Sequence, residues 1–371
     1  MVASLAAALQ AAGAENLVIA PANGEGWLAQ QLSGTGVRME LFHLDRPFSP
    51  RFARWLASVL DRHGTALAHS HEFTMAVYGA WAARRAGVPH LFTMHGSRYY
   101  AGRLQRRVAM RMAAAVSGSI VAVSQTLARH LSRDLWLRGS RIATIPNGAG
   151  LTPVAQSSLR GELNLRADDL LALSVGNLYP VKGHAHLLEA LALLAGRFPS
   201  LHVAVAGRGE LEAPLRARAQ ALGVGDRFHL LGLRSDVANV LAGADVFVLP
   251  SLSEGLPLAL IEAMLAQRPI VATAVGEIGT VLRGGRDGIL IPPGDAAALA
   301  HALARVLSDP TEARRLSTAA ALRAADYTLV KMTDRYVALY AKLLARAGTA
   351  TPLAPADRAH PVLQSREIAA P

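Results

Sequence analysis

Short apolar runs alternate with amphipathic stretches along almost the whole chain, and the runs are built from Val, Leu, Ile and Ala. Runs of that kind read as strands covered on both faces, and the stretches between them as the covering helices. In the first half the strand candidates fall at 17–21, 37–44, 66–70, 90–95, 119–124 and 142–145, with helical periodicity at 2–12, 52–61, 75–86 and 125–132. Pro146-Asn147-Gly148, Thr152-Pro153 and Ser157-Ser158 then break the pattern. It restarts with strand candidates at 170–175, 201–206, 228–231, 245–250, 270–274 and 288–291, and ends in a helix spanning 328–346. The alternation predicts an α/β chain of two doubly wound domains, residues 1–150 and 151–327, then a helix at 328–348 and a disordered Pro/Ala-rich tail at 349–371. Ligands of such sheets bind beyond the carboxyl ends of the strands, which predicts a site in a cleft between the two domains. The chain opens in a helix, where a doubly wound domain ordinarily opens with a strand and a glycine turn, so the first strand is expected to be missing.

Composition narrows the chemistry. Of 371 residues, 51% are hydrophobic and 18% charged, enough apolar material for two cores. The chain has no Cys, which excludes disulfides, thiolate zinc sites and a cysteine nucleophile. No apolar stretch reaches the ~18 residues that span a bilayer, and the Ala-rich start lacks a basic n-region, so a soluble, intracellular, cytoplasmic protein is expected, either free or peripheral on the inner membrane face. Charge is uneven: residues 1–150 carry 16 Arg, no Lys and 7 acids, while 151–371 carry 22 basic and 20 acidic residues. Between Glu72 and Asp134 there are nine Arg and no acid. At about 100° per residue Arg103, Arg106, Arg107 and Arg111 share one helix face, and Leu104, Val108, Met112 and Ala115 another. Such a helix fits an anionic membrane surface, a solvated face on a helix packed against its own sheet, or an anionic acceptor. No nucleic-acid motif accompanies the patch, and nucleic acid is not an expected partner.

Two segments carry candidate chemistry. In Ser253-Glu254-Gly255-Leu256-Pro257 a strand end leads through a polar loop to a helix that Pro257 suits as its first residue, a place where free amides and a positive dipole end can hold phosphate. Glu262 lies further along that helix, roughly 12 Å from Glu254 by helical rise. That is beyond the ~5–9.5 Å of a glycosidase pair and suits two grips on one extended ligand; a loop acid and a solvated helix acid are the plainer reading. In Gly176-Asn177-Leu178-Tyr179-Pro180-Val181-Lys182-Gly183 a strand runs into a glycine loop and a lysine at the head of a helix. Lys182 is the only lysine before Lys331 and could neutralise a phosphate or simply face solvent. Gly207-Arg208-Gly209 is an incomplete dinucleotide turn. Of His69, His71 and His95, all near strand ends, only His95 is favoured for function, the other two being read as structural. No Asp-x-Asp triplet is present to hold a metal–diphosphate, so no metal and no cofactor are expected.

With these segments in order, the chain resembles retaining glycosyltransferases of family 4, which have the GT-B fold: two Rossmann-like domains facing across a cleft. The matching stretches include Phe92–Gly96, Val175–Gly183, Gly207–Glu210, Leu231–Asp236, Glu254–Glu262 and Ala274–Gly276, and cover most of residues 60–310. The resemblance implies transfer of a sugar from a UDP- or GDP-sugar to a hydroxyl of a glycan or lipid-linked acceptor, in bacterial polysaccharide or envelope synthesis. It makes Glu254, His95 and Lys182 the catalytic set. It places Gly176, Asn177, Gly207, Leu233, Arg234, Gly255, Leu256 and Glu262 around the donor, with Glu262 on the ribose and Leu233 and Arg234 near the base. Asn177 stands where the family usually has an arginine, and Glu277-Ile278-Gly279-Thr280 replaces a common Gly-Ile-Pro-Glu. A nucleotide-sugar epimerase of the same fold and an inactive binding protein at the membrane are the alternatives.

Overall fold

The computed structural model describes residues 1–348 apart from 23–25, 45–48, 97 and 153, and apart from the side chains of Trp27 and Arg98. The tail expected to be disordered lies outside the described residues. The chain divides into two compact units: Met1–Gly148 together with Thr328 onward, and Ala149–Tyr327.

In the second unit six strands, β7 (Leu170–Val175), β8 (Leu201–Ala206), β9 (Phe228–Leu230), β10 (Val246–Leu249), β11 (Ile270–Thr273) and β12 (Ile289–Ile291), form one parallel sheet. Its order is β12-β11-β10-β7-β8-β9. Counted from β7 this is the doubly wound order 3-2-1-4-5-6, which reverses between β7 and β10, where ligands of such sheets sit. Alternation along the strands sends Ala172, Val203, Val246 and Val248 into a core under the helices His184–Leu194 and Ala296–Ser308. Their neighbours Leu171, Leu173, Phe247 and Leu249 face a second core with Leu258–Leu265 and Pro310–Ala324. Both faces are therefore covered, and these strands read in sequence as continuous apolar runs.

The first unit holds a parallel pair, β1 (Leu17–Pro21) with β2 (Arg38–Phe42), and a parallel four-stranded sheet, β3 (Ala68–His71), β4 (His90–Met94), β5 (Ser119–Ala122) and β6 (Ile142–Thr144). Among the described residues no ladder joins β1 to β3. Phe92, Met94, Ile120 and Ala122 pack under the helices Glu72–Ala86, Leu104–Val116 and Gln125–Asp134. On the opposite face Leu91 and Val121 meet Leu5, Leu9, Tyr336 and Tyr340. The final helix, Leu329–Arg346, is thus a covering layer of the first unit's sheet, because its stripe of Met332, Tyr336, Tyr340 and Leu343 fills that face. No helix is long and apolar enough to cross a membrane among the described residues.

Candidate functional site

At the point where the strand order of the second unit reverses, the loops after β7 and β10 lie against each other. After Val175 the chain passes through Gly176 and Asn177 to a tight turn at Pro180–Lys182, and the helix begins at His184. Lys182 therefore sits two residues ahead of the helix rather than at its first position. Gly183 adopts φ +67°, and a Cβ there would lie 2.0 Å from the carbonyl oxygen of Pro250, so only glycine lets the β7 loop approach the end of β10 this closely. The Leu252 amide donates to Val181 O at 2.8 Å and ties the two loops together. Across this seam Lys182 Nζ donates to Glu254 Oε1 at 2.7 Å, and Ser251 Oγ donates to the same oxygen at 2.7 Å. Both partners are largely covered, Glu254 more than Lys182. Ser251 is positioned in turn by Thr273, whose hydroxyl donates to Ser251 O at 2.6 Å.

The glycine turns crowd the same edge. A Cβ on Gly207, after β8, would meet Gly176 O at 2.0 Å, and the Lys182 stem lies over Gly176. Gly255 is held by the Glu277 amide, which donates to its carbonyl at 3.1 Å, and Leu256 is buried. Pro257 caps the helix Leu258–Leu265 instead of opening it, so the amides at Gly255 and Leu256 belong to the loop before the helix. Asn177 is exposed, its carbonyl beside His184 Nε2 at 3.3 Å. Glu262 is half-buried within the helix, and burial pushes its carboxyl up from the ordinary range.

Thus Gly176, Lys182, Gly207, Glu254, Gly255 and Leu256 come together on one sheet edge. Leu233 and Arg234 follow β9, the outer strand, just after Gly232, whose carbonyl accepts from the Gly207 amide at 2.8 Å. Arg234 is bound to Glu162 and Asp236, each at 2.7 Å, which raises its own pKa and holds the Asp236 carboxyl down to about 2. Ser251, Thr273 and Gly276 were not singled out by the sequence. Gly276 had a signal as part of the Ala274–Gly276 stretch, whereas the two hydroxyls had none.

In the first unit three histidines form a half-buried chain. His69 Nδ1 lies 2.7 Å from the Tyr340 hydroxyl and its Nε2 2.8 Å from the Thr93 hydroxyl. His71 Nδ1 and His95 Nε2 are 3.3 Å apart with stacked rings. The His95 amide donates to Glu72 Oε1 at 3.2 Å, and Glu72 holds φ +64°, a strained value for a residue with a side chain. Burial lowers His69 to about 3, and His90 and His95 to about 4; His184 in the other unit is likewise lowered to about 4. All four are neutral near pH 7. Unfolding returns each to about 6.5, so as pH falls below that value the unfolded chain takes up protons that the folded chain refuses. Stability is expected to be full above about pH 6.5 and to fall toward pH 4.5, by on the order of 1–2 kcal/mol per histidine at pH 5. Urea midpoints at pH 7.5, 6 and 5 check this, and a flat profile across that window contradicts it.

The four arginines do not form the single face drawn from helical geometry. Arg106 turns back to stack over Tyr99 at 4.0 Å and to donate to Tyr99 O. Arg107 and Arg111 turn the other way, donating to the carbonyls of Asp134, Leu135 and Trp136 and lying over the Trp136 ring at 4.9 and 5.9 Å. Arg103 caps the helix and is exposed. The long, jointed side chains follow the nearest carbonyls and aromatic faces, which a helical wheel cannot foresee. Among the described residues no group of three His, Asp or Glu is placed to hold a metal ion.

Comparison with known proteins agrees with this architecture. A family model described as Glycosyltransferase Family 4 matches residues 1–152, and one described as Glycosyl transferases group 1 matches residues 156–323. The phosphatidyl-myo-inositol mannosyltransferase of Mycobacterium leprae is 30% identical over 345 residues, 89% of each chain. The UDP-Gal:alpha-D-GlcNAc-diphosphoundecaprenol alpha-1,3-galactosyltransferase of Escherichia coli is 29% identical over 271 residues, 68% of this chain and 69% of the relative. Among solved structures, Anabaena HepE in complex with UDP-glucose superposes with a TM-score of 0.78 at 22% identity, covering 93% of this chain and 96% of HepE. The chain is therefore a glycosyltransferase that belongs to family 4 and has the GT-B fold.

Proposed function

We propose that this glycosyltransferase moves a sugar from a nucleoside-diphosphate sugar to a hydroxyl of a glycan or lipid-linked acceptor, with retention at the anomeric carbon, in bacterial polysaccharide or envelope synthesis. The observation that carries the reading is the Lys182–Glu254 pair at 2.7 Å where the loops after β7 and β10 meet. It supports a donor site because cation, carboxylate and loop amides then serve different parts of one ligand. The Lys182 ammonium and the amides of Gly255 and Leu256 stabilise negative charge as it grows on the leaving diphosphate. Glu254, released from Lys182 when the phosphate takes that cation, accepts hydrogen bonds from the hydroxyls of the transferred sugar. Glu262 does the same for the ribose, and Asn177 donates at the phosphate where an arginine is usual. From the first unit His95 is assigned to the transferred sugar, as a neutral ring at physiological pH. In this reading the acceptor hydroxyl attacks from the side the leaving group departs, and a phosphate oxygen takes its proton, so neither a protein nucleophile nor a metal ion is assigned a step.

The nucleotide is assigned as UDP, since the E. coli relative is named for UDP-Gal and HepE was solved with UDP and UDP-glucose. UDP is expected to raise the melting temperature and GDP to do so less, by mass-action stabilisation. Transfer from a UDP-sugar is expected to survive EDTA and to give a product of unchanged anomeric configuration by NMR. No stabilisation by any nucleoside diphosphate overturns the donor site, an inverted product overturns retention, and loss in EDTA overturns the metal-free reading.

A further inference from the structure

The Leu104–Val116 helix meets its own domain with the face opposite to the apolar one. Met110, Ala113 and Ala114 are its buried residues, packed with Phe92, Ile120 and Leu131. Leu104, Val108, Met112 and Val116, four residues apart and therefore in one row, are all exposed, Leu104 by 65% and Met112 by 67%. Water thus meets a row of large apolar side chains about 18 Å long by helical rise. Tyr99 and Trp136 are also exposed, the first with one arginine guanidinium over its ring and the second with two. Arg106, Arg107 and Arg111 are satisfied by carbonyls, which leaves their positive charge uncancelled. With these three included, the stretch 73–133 holds nine Arg and no acid.

The geometry points to an anionic bilayer surface as the occupant of this face. The apolar row enters the boundary between headgroups and acyl chains, and the arginines stay at headgroup depth. Trp136 and Tyr99, apolar bodies with polar tips, suit the same depth. A second copy of the chain fits less well, because a two-fold contact through this row sets like arginine clusters face to face. A soluble polyanion gains nothing from Leu104, Val108, Met112 and Val116. All of these residues belong to the first unit, so the inference stands or falls independently of the donor site.

The test is co-sedimentation of the full chain with phosphatidylcholine vesicles, with and without phosphatidylglycerol. Binding is expected on the mixed vesicles, weaker in high salt, and at least about tenfold weaker for Leu104→Glu with Met112→Glu. Both side chains project into water, so the double variant should keep its urea midpoint and its UDP-induced melting shift, which shows that it is folded. Absence of binding to the mixed vesicles at low salt overturns the inference. Equal binding of wild type and double variant also overturns it, leaving only general attraction of a basic chain. So does self-association that the double variant abolishes while vesicle binding is unchanged.

Discussion

Replacing Lys182 by alanine is expected to slow sugar transfer by roughly 10²–10³-fold, about 2.7–4 kcal/mol of transition-state stabilisation. The loss should fall mainly on kcat, because the diphosphate gains its extra charge only as the glycosidic bond breaks, and an ammonium aimed there acts most strongly at that moment. Lys182 also holds Glu254, whose carboxylate would keep only the Ser251 hydroxyl from the pair of bonds at 2.7 Å. A small drop in stability, about 1–2 kcal/mol, is therefore expected alongside the kinetic loss, since the pair is only partly shielded from water. Urea titration separates the two effects, and rates are compared where both proteins are fully folded. Glu254→Ala is expected to fall in the same range by losing the sugar's hydrogen-bond acceptor. Lys182→Arg should recover only part of the rate, because a planar fork does not reproduce a compact ammonium above Gly176. Near-normal turnover in both alanine variants would reject the site.

How legible this was in the sequence differs from part to part. The strands of the second unit were readable because each is a short apolar run covered on both faces, and 170–175 and 201–206 coincide with β7 and β8. That β10 lies beside β7 is not readable from local pattern: Lys182 and Glu254 are 72 residues apart, and only the order of the sheet brings them together. Their association entered through family resemblance, and the strand order supplies its physical cause. Ser251 and Thr273 stayed invisible because a hydroxyl at a strand end has no distinctive spacing. The arginine helix was ambiguous for a different reason. Its wheel offers a face of Met110, Ala113 and Ala114 and a face of Leu104, Val108 and Met112, and periodicity cannot say which one meets the sheet. Small side chains decided it, since Ala113 and Ala114 let the helix pack closely over Ile120 and Leu131. The last helix was found at nearly its true limits, but its membership in the first unit follows from where its aromatic stripe finds a partner, a question of tertiary packing.

Gly276→Ala is expected to cost about 2–4 kcal/mol in stability, by the sum of left-handed strain and forced backbone movement. Gly276 has φ +54°, and its Cβ would lie 2.0 Å from Glu254 O and 3.1 Å from Gly255 O. Those atoms are backbone of the loop that carries the proposed sugar-binding carboxylate, so relief requires that loop to move. The neighbouring bond from the Glu277 amide to Gly255 O, at 3.1 Å, opposes the movement. Two other glycines separate the causes. Gly279 has an ordinary φ and nothing within 4 Å of a Cβ, so Gly279→Ala should be neutral or slightly stabilising within its short helix. Gly285 has φ +78° but open space around it, so Gly285→Ala should cost about 1 kcal/mol from conformation alone. Urea denaturation of the three variants ranks them 279, 285, 276 in increasing damage, and only Gly276→Ala should lower the transfer rate of the folded protein. If it proves no worse than Gly285→Ala, the close approach of the β11 loop to Glu254 is not what holds that carboxylate in place.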